Sequence, residues 1–255
     1  YSQGHINYYY GGQYFAVFLT KLSHTKVELT YNLMRTFVAG LAFAMPFSLV
    51  YQMMADRMKG QPKGEKTKKS LPFISGFTAG IAVSIAGNMH YVIYACIIPW
   101  IQKLTGQEVS GYWFPDATRY IGYNPYREED RTIHEFPCYS FVLGDLHAHV
   151  VNIMFVLLVI ALLYVWLRDV RKKTVSGEVS MRTEGFWRQQ LLMPHLLVIS
   201  VLLGMFQWTN FWDFVIYYVV TLGTVLFANI IRFRGKIKKI LAVTFAQMAE
   251  IYLIG

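Results

Sequence analysis

Apolar residues run in long blocks separated by short polar segments, and the period-two alternation of a β-barrel is absent. Phe37–Met54, Leu71–Ile101, Val150–Leu167, Leu191–Trp208, Phe214–Ile231 and Ile240–Gly255 are the apolar blocks. A helix of about 20 such residues crosses the roughly 30 Å of a bilayer's hydrocarbon. The pattern therefore predicts an all-α, polytopic membrane protein with about six transmembrane helices. Expected spans are 37–54, 71–91, 150–167, 191–208, 214–231 and 240–255. Pro46 sits inside the first as an expected kink. Gly87-Asn88-Met89-His90 interrupts the second, so that span ends near Tyr91 and its helix continues along the interface to Ile101. Tyr14–Leu22 is too short to cross and belongs at the interface, where tyrosine is favoured. No repeat or low-complexity linker divides the chain, so 1–255 reads as a single membrane domain. It begins at Tyr1 and ends inside an apolar run, as a fragment cut at both ends would.

Composition sharpens this picture. The chain has 255 residues, 55% hydrophobic and 15% charged, where a soluble globule carries about a quarter charged. The net charge of +9 does not point to nucleic acid, because the bases cluster in short loops. Arg57, Lys59, Lys63, Lys66, Lys68 and Lys69 form one cluster. Arg168, Arg171, Lys172, Lys173, Arg182 and Arg188 form a second, and Arg232–Lys239 is a third. Six crossings place all three on one side, as the positive-inside rule requires of cytoplasmic loops. The expected location is the plasma membrane, multi-pass, with the lipid bilayer as partner and no nucleic acid. Tyr1–Thr30, Gln102–His149 and Thr209–Asp213 then share the extracytoplasmic face. Cys96 and Cys138 lie in different surroundings, and no disulfide is expected.

That outer face holds the candidate chemistry. Ile133–His149, IHEFPCYSFVLGDLHAH, is the densest polar cluster in the chain. Asp145, His147 and His149 offer a carboxylate and two imidazoles, which suit zinc, manganese or iron. In an extended backbone all three share a face; in a helix His147 turns away. Alternatively Asp145 is only the N-cap of the following span. Glu135, before Pro137, is a candidate base or ligand, or a loop acid paired with Arg119 or Arg131. His134 or Glu135 could complete a metal shell. In Trp113–Ile121, Arg119 is a candidate clamp for phosphate through its planar fork, or a partner of Asp116. Tyr8, Tyr9 and Tyr10 could stack on a sugar or lipid headgroup, or serve as belt tyrosines, with Gly11 and Gly12 turning the backbone after them. Asn210, Trp212 and Asp213 either line the same cavity or cap helices. Asn88, His90 and Asn152 are the polar residues noted within the spans, and Arg35 at the mouth of the first either meets a lipid phosphate or snorkels.

Together these motifs resemble the uncharacterised "YYY" integral membrane proteins of bacteria and archaea. The matching residues are Ile6–Gly12, Gly87-Asn88, Trp113 with Thr118-Arg119, His134–Pro137 with Ser140–His149, and Thr209–Asp213. The resemblance covers nearly the whole chain in order. It implies a fold related to the GT-C glycosyltransferases, membrane enzymes that use polyprenyl-phosphate-linked sugars outside the cytoplasm. Such proteins have an earlier span and an acidic loop that would lie before Tyr1, so the resemblance implies a larger bundle and an upstream catalytic acid.

The expected function is accordingly a membrane glycosyltransferase with a polyprenyl-phosphate sugar donor. Glu135 or Asp145 would be its base. A divalent metal on Asp145, His147 and His149 would stabilise the leaving phosphate. Tyr8, Tyr9, Tyr10, Arg119, His134, Asn210, Trp212 and Asp213 would bind substrate. Two other classes compete: a transporter or flippase, which calls for polar residues along the spans, and a metal-dependent membrane hydrolase, which calls for a complete site at DLHAH.

Overall fold

The computed structural model describes residues 8–60, 68–119, 126, 129, 132–175 and 185–255. Among them the chain is helical and has no strand. Ile6, Asn7, Lys63, Lys66, Ile121, Arg131 and Arg182, all used in the sequence reading, lie outside the described residues. The helices are α1 (Gly11–Ser23), α2 (Val27–Lys59), α3 (Leu71–Ser84), α4 (Ile98–Leu104), α5 (Pro137–Leu143), α6 (Ala148–Val175), α7 (Phe186–Leu191), α8 (Pro194–Thr209), α9 (Phe211–Arg232) and α10 (Ile237–Ile254).

The long apolar blocks are helical, and several helices outrun the block that predicted them. Polar residues beyond the apolar limits keep the helical hydrogen bonds going into the interface. Thus the block 37–54 lies within the 33 residues of α2, and the block 150–167 within the 28 of α6. Pro46 is accommodated inside α2. Among the described residues three helices, α2, α6 and α9, are long and apolar enough to cross a membrane. The helices α3 and α8 are apolar but shorter, with 14 and 16 residues.

The second block breaks where its Gly-Asn signal lies. The helix α3 stops at Ser84, and Met89 takes a left-handed φ of 66°. The chain then resumes as a π-helical turn, Val92–Ile97, continuous with α4. Pro99 accounts for the wide turn: a proline has no N–H to donate and crowds the carbonyl four residues back, and widening the turn relieves both.

The chain divides into two compact units: Tyr1–Met34 with Leu146–Gly255, and Arg35–Asp145. In the first, α6, α8, α9 and α10 pack around Val159, Leu163, Trp166, Ile199, Leu203, Phe206, Val225 and Ile251. In lipid, close packing and interhelical hydrogen bonds hold helices together rather than the exclusion of water. Both appear here. Asn229 Nδ2 donates to Thr244 Oγ1 at 3.1 Å and to Gln247 Oε1 at 2.9 Å, and Gln247 Nε2 donates to the Gln190 carbonyl at 3.0 Å. The sequence reading overlooked these polar residues inside the apolar blocks. The small helix α1 docks on α6 and α8 through Gly11 and Gly12, both buried. A methyl group at Gly12 would meet Val151 at 2.9 Å, and one at Gly11 would collide with Thr209.

In the second unit α2 and α3 meet through an aromatic ladder. Phe47 stacks between Phe43 and Tyr51, and Phe73 and Phe77 close edge-on against Phe47 and Phe43. Gly76 and Gly80 make the approach possible, since a methyl at Gly76 would lie 2.7 Å from the Phe47 carbonyl oxygen.

Candidate functional site

The motif residues gather in two places, one in each unit. In the unit 35–145 they are organised by α5. Phe136, in extended backbone, is the N-cap of this helix, and Pro137 at its first position supplies a preset φ where no N–H is needed. Gly144, at φ 76°, ends it in the left-handed conformation. Gly144 and Asp145 both donate their N–H groups to the Ser140 carbonyl, at 2.8 and 2.9 Å. The turn therefore places Glu135 just before the helix and Asp145 just after it. Both are half-buried, and their carboxylate oxygens approach within 4.8 Å.

Three further motifs close around α5. His134 N–H donates to the Thr118 carbonyl at 2.9 Å, tying HEFP to the WFPDATR segment. That segment folds as a 3₁₀ turn, Phe114–Thr118, and Asn88 Nδ2 donates to the Ala117 carbonyl at 2.5 Å. Gly87 lies so close to the Phe136 ring that a methyl there would stand 2.5 Å from Cε2. Phe114 stacks on Tyr139, with centroids 5.3 Å apart. The Arg119 guanidinium lies over the Trp113 ring, 4.5 Å from its centroid, as a cation–π pair. Asp116 is exposed, and its carbonyl accepts the Arg119 N–H at 3.1 Å. His90 Nδ1 is 3.1 Å from the Tyr112 hydroxyl.

Sequence reasoning left Arg35 at the lipid boundary. The structure turns its guanidinium inward over the Gly144 backbone, and its Nε is buried. A glycine was needed there on two counts, the positive φ and the absence of a Cβ under the arginine. The pairing of a positive-φ glycine with an arginine more than a hundred residues earlier left no local signal.

In the other unit the site begins at the start of α6. Val150 and Val151 both donate to the His147 carbonyl at 3.0 Å, so His147 holds the N-cap position. This corrects the reading of Asp145 as the cap. It also removes both simple geometries offered for DLHAH: residues 145–147 are non-helical, and His149 is already in the first turn of α6. The His147 and His149 rings lie 5.4 Å apart by their centroids. Tyr8 meets His147 edge-on at 6.3 Å and touches Tyr9 at 5.3 Å. Tyr8 and Tyr9 line a cavity of about 440 Å³ with Gln207 and Trp208. Tyr10 is the N-cap of α1, its carbonyl accepting the Tyr14 N–H at 2.8 Å. Gln13 Nε2 reaches the Leu146 carbonyl at 3.3 Å.

Below this cavity the TNFWD turn is held from α6. Asn152, fully buried, donates from Nδ2 to Asp213 Oδ2 at 2.6 Å and accepts from Thr209 Oγ1 at 2.8 Å. Asn210 caps α9, and its Nδ2 donates to the same Asp213 oxygen at 2.9 Å. Asn210 and Asp213 are thus bound up in joining α6, α8 and α9, while Trp212 is 68% exposed. Asn152 and Thr209 complete this network although neither was among the expected site residues. The clue was the position of Asn152 three residues after His149, on the same helix face.

A family model described as "Uncharacterized membrane protein (DUF2298)" matches residues 1–253. No curated protein and no solved structure matches the chain.

Proposed function

Since the chain belongs to the DUF2298 family of uncharacterised membrane proteins, we propose that it is a membrane glycosyltransferase drawing its sugar from a polyprenyl-phosphate donor at the extracytoplasmic face. The observation that carries this reading is the pair of half-buried carboxylates, Glu135 and Asp145, set on either side of α5 with oxygens within 4.8 Å. The resemblance to GT-C enzymes supplies the donor class.

In this reading Glu135 or Asp145 accepts the proton of the acceptor hydroxyl. The freed oxygen attacks the anomeric carbon, the bond from that carbon to the phosphate oxygen breaks, and the polyprenyl phosphate leaves with the bonding pair. Arg119, whose guanidinium lies over the Trp113 ring, offers a planar fork of N–H donors to a phosphate. Tyr8 and Tyr9, lining their cavity with Trp208, offer aromatic faces to a sugar ring. A divalent cation belongs to this proposal because a carboxylate with imidazoles is a donor set that suits zinc, manganese or iron. Asp145, His147 and His149 remain the residues proposed to hold it. A bound cation would supply charge neutralisation at the departing phosphate.

The test is transfer by full-length protein in proteoliposomes, with radiolabelled polyprenyl-phosphate sugars as donors. The expected result is release of polyprenyl phosphate, cut at least a hundredfold by Glu135→Gln or Asp145→Asn. Turnover untouched by both substitutions, or no turnover with any such donor, removes the reading. The same carboxylate pair would serve a metal-dependent hydrolase, which metal analysis of the purified protein and release of free sugar would distinguish. A transporter is less well supported. The buried polar groups of α6, α9 and α10 named above are engaged with one another rather than strung along a path.

A further inference from the structure

The far end of the helices of the unit containing α6–α10 carries a second cavity, of about 480 Å³. It lies about 25 Å along α6 from Asn152, at 1.5 Å rise per residue. Its walls include Trp166, Asp169 and Lys173 from α6, Gln190 from α7, His195 from the first turn of α8, and Arg232 from the last position of α9. None of these belongs to the motifs described above.

Four features give the cavity a chemistry. Arg232 is the last residue of α9; its Nη1 donates to Asn229 Oδ1 at 3.4 Å, and its guanidinium lies 5.1 Å from the Phe233 ring centroid. A guanidinium has five donors in a fixed fork suited to phosphate oxygens. Next, α8 starts at this cavity with no side-chain cap among the described residues, and its first helical residue is Pro194. Uncapped N–H groups at a helix start favour an anion. His195 and Lys173 also line the cavity, and the Lys173 Nζ is 2.8 Å from Asp169 Oδ2. Finally, Gln190 is 4% exposed, and among the described residues its Oε1 accepts no hydrogen bond. A buried oxygen of this kind costs stability unless a donor reaches it. The cavity therefore combines an anion-binding side with an acceptor side, Gln190 Oε1 and Asp169.

We propose that this cavity binds a phosphate ester that also carries a hydroxyl or amino group. The phosphate faces Arg232, His195 and the start of α8, and the hydroxyl or amine donates to Gln190 Oε1. Both a phospholipid headgroup, such as phosphoglycerol or phosphoethanolamine, and a small soluble ester have this chemistry. A lipid would reach the cavity naturally, because Lys172, Arg234, Lys236, Lys238 and Lys239 sit at the same helix ends, where basic side chains meet anionic headgroups. The site is independent of the transferase reading and lies at the other end of the helices.

The experiment uses full-length protein in phosphatidylcholine nanodiscs and reads the thermal unfolding midpoint. One arm adds phosphatidylglycerol or phosphatidylethanolamine to the lipid, and the other adds soluble glycerol 3-phosphate. A saturable rise in either arm is expected, with the lipid arm marking a headgroup and the soluble arm a free ester. In Arg232→Gln the half-saturating concentration should rise at least tenfold, and in His195→Ala severalfold. Gln190→Leu, which satisfies its site without a donor, should raise the midpoint before any addition and weaken the response. No saturable rise in either arm overturns the proposal. So does a half-saturating concentration unchanged in both Arg232→Gln and His195→Ala.

Discussion

Asn152 and Asp213, 61 residues apart in the chain, share a hydrogen bond of 2.6 Å between Nδ2 and Oδ2. This bond joins the start of α6 to the start of α9, and Thr209 and Asn210 extend it to the end of α8. A carboxyl group among helices is costly unless it is partnered, and here two amides donate to one of its oxygens. Asn152→Leu should therefore destabilise the protein by about 1–3 kcal/mol, because it strands the Thr209 hydroxyl and halves the support of Asp213. Asp213→Asn, which keeps an oxygen at the centre, should cost less. Unfolding in detergent compares the two, and equal costs would show that the network is not centred on Asn152.

Gly11 and Gly12 are the contact points of α1. Gly12→Ala requires Val151 to move, and Gly11→Ala requires Thr209 to move, with its hydroxyl already committed to Asn152. Overpacking of this sort costs about 1–3 kcal/mol. The substitution at position 11 should be the worse of the two, and it should also weaken any ligand that uses the Tyr8–Tyr9 cavity. Protease sensitivity of the segment before α1 reports the loss of docking.

Gly144→Ala meets two obstacles together. The left-handed φ of 76° costs a residue with a Cβ about 1–2 kcal/mol, and the added methyl collides with the Arg35 guanidinium. Gly185, at φ 81° with no described atom within 4 Å of an added methyl, is the control. Gly185→Ala should cost the backbone share alone, and Gly144→Ala should cost more and lower activity.

Burial pushes the Cys138 thiol above its ordinary pKa. A raised pKa means less thiolate at any given pH, so maleimide labelling of Cys138 in a Cys96→Ser background should be slow at pH 8. Its rate should keep climbing at higher pH, past the range where a free thiol in solution has levelled off. A rate equal to that of a free thiol across the range would contradict the burial.

Much of the helical architecture was legible because apolar blocks report helices directly. Gly87-Asn88 announced the break after α3, and the blocks at 150 and 214 each became one helix, while the block at 191 starts at the end of α7 and continues as α8 from Pro194. What was hidden was the pairing between helices. Asn229, Thr244 and Gln247 look like isolated blemishes in apolar runs until their partners are known. Arg35 looked like an interfacial base because its partner, Gly144, carries no side chain to advertise the contact. The motifs HEFP, WFPDATR and Gly-Asn did mark residues that come together around α5. The conformation of DLHAH was beyond periodicity, because the helix starts inside the motif, at Ala148, and neither of two uniform backbones describes it.

The docking of Gly11 on Thr209 also bears on how the protein is made. These residues are separated by roughly 200 positions, and at a synthesis rate of about 5–20 residues per second the ribosome needs roughly 10–40 s to pass from one to the other. During that interval α1 has been translated but its seat on α8 has not. The Tyr8–Tyr9 cavity therefore stays open on one side until the end of α8, with Gln207 and Trp208, has been made.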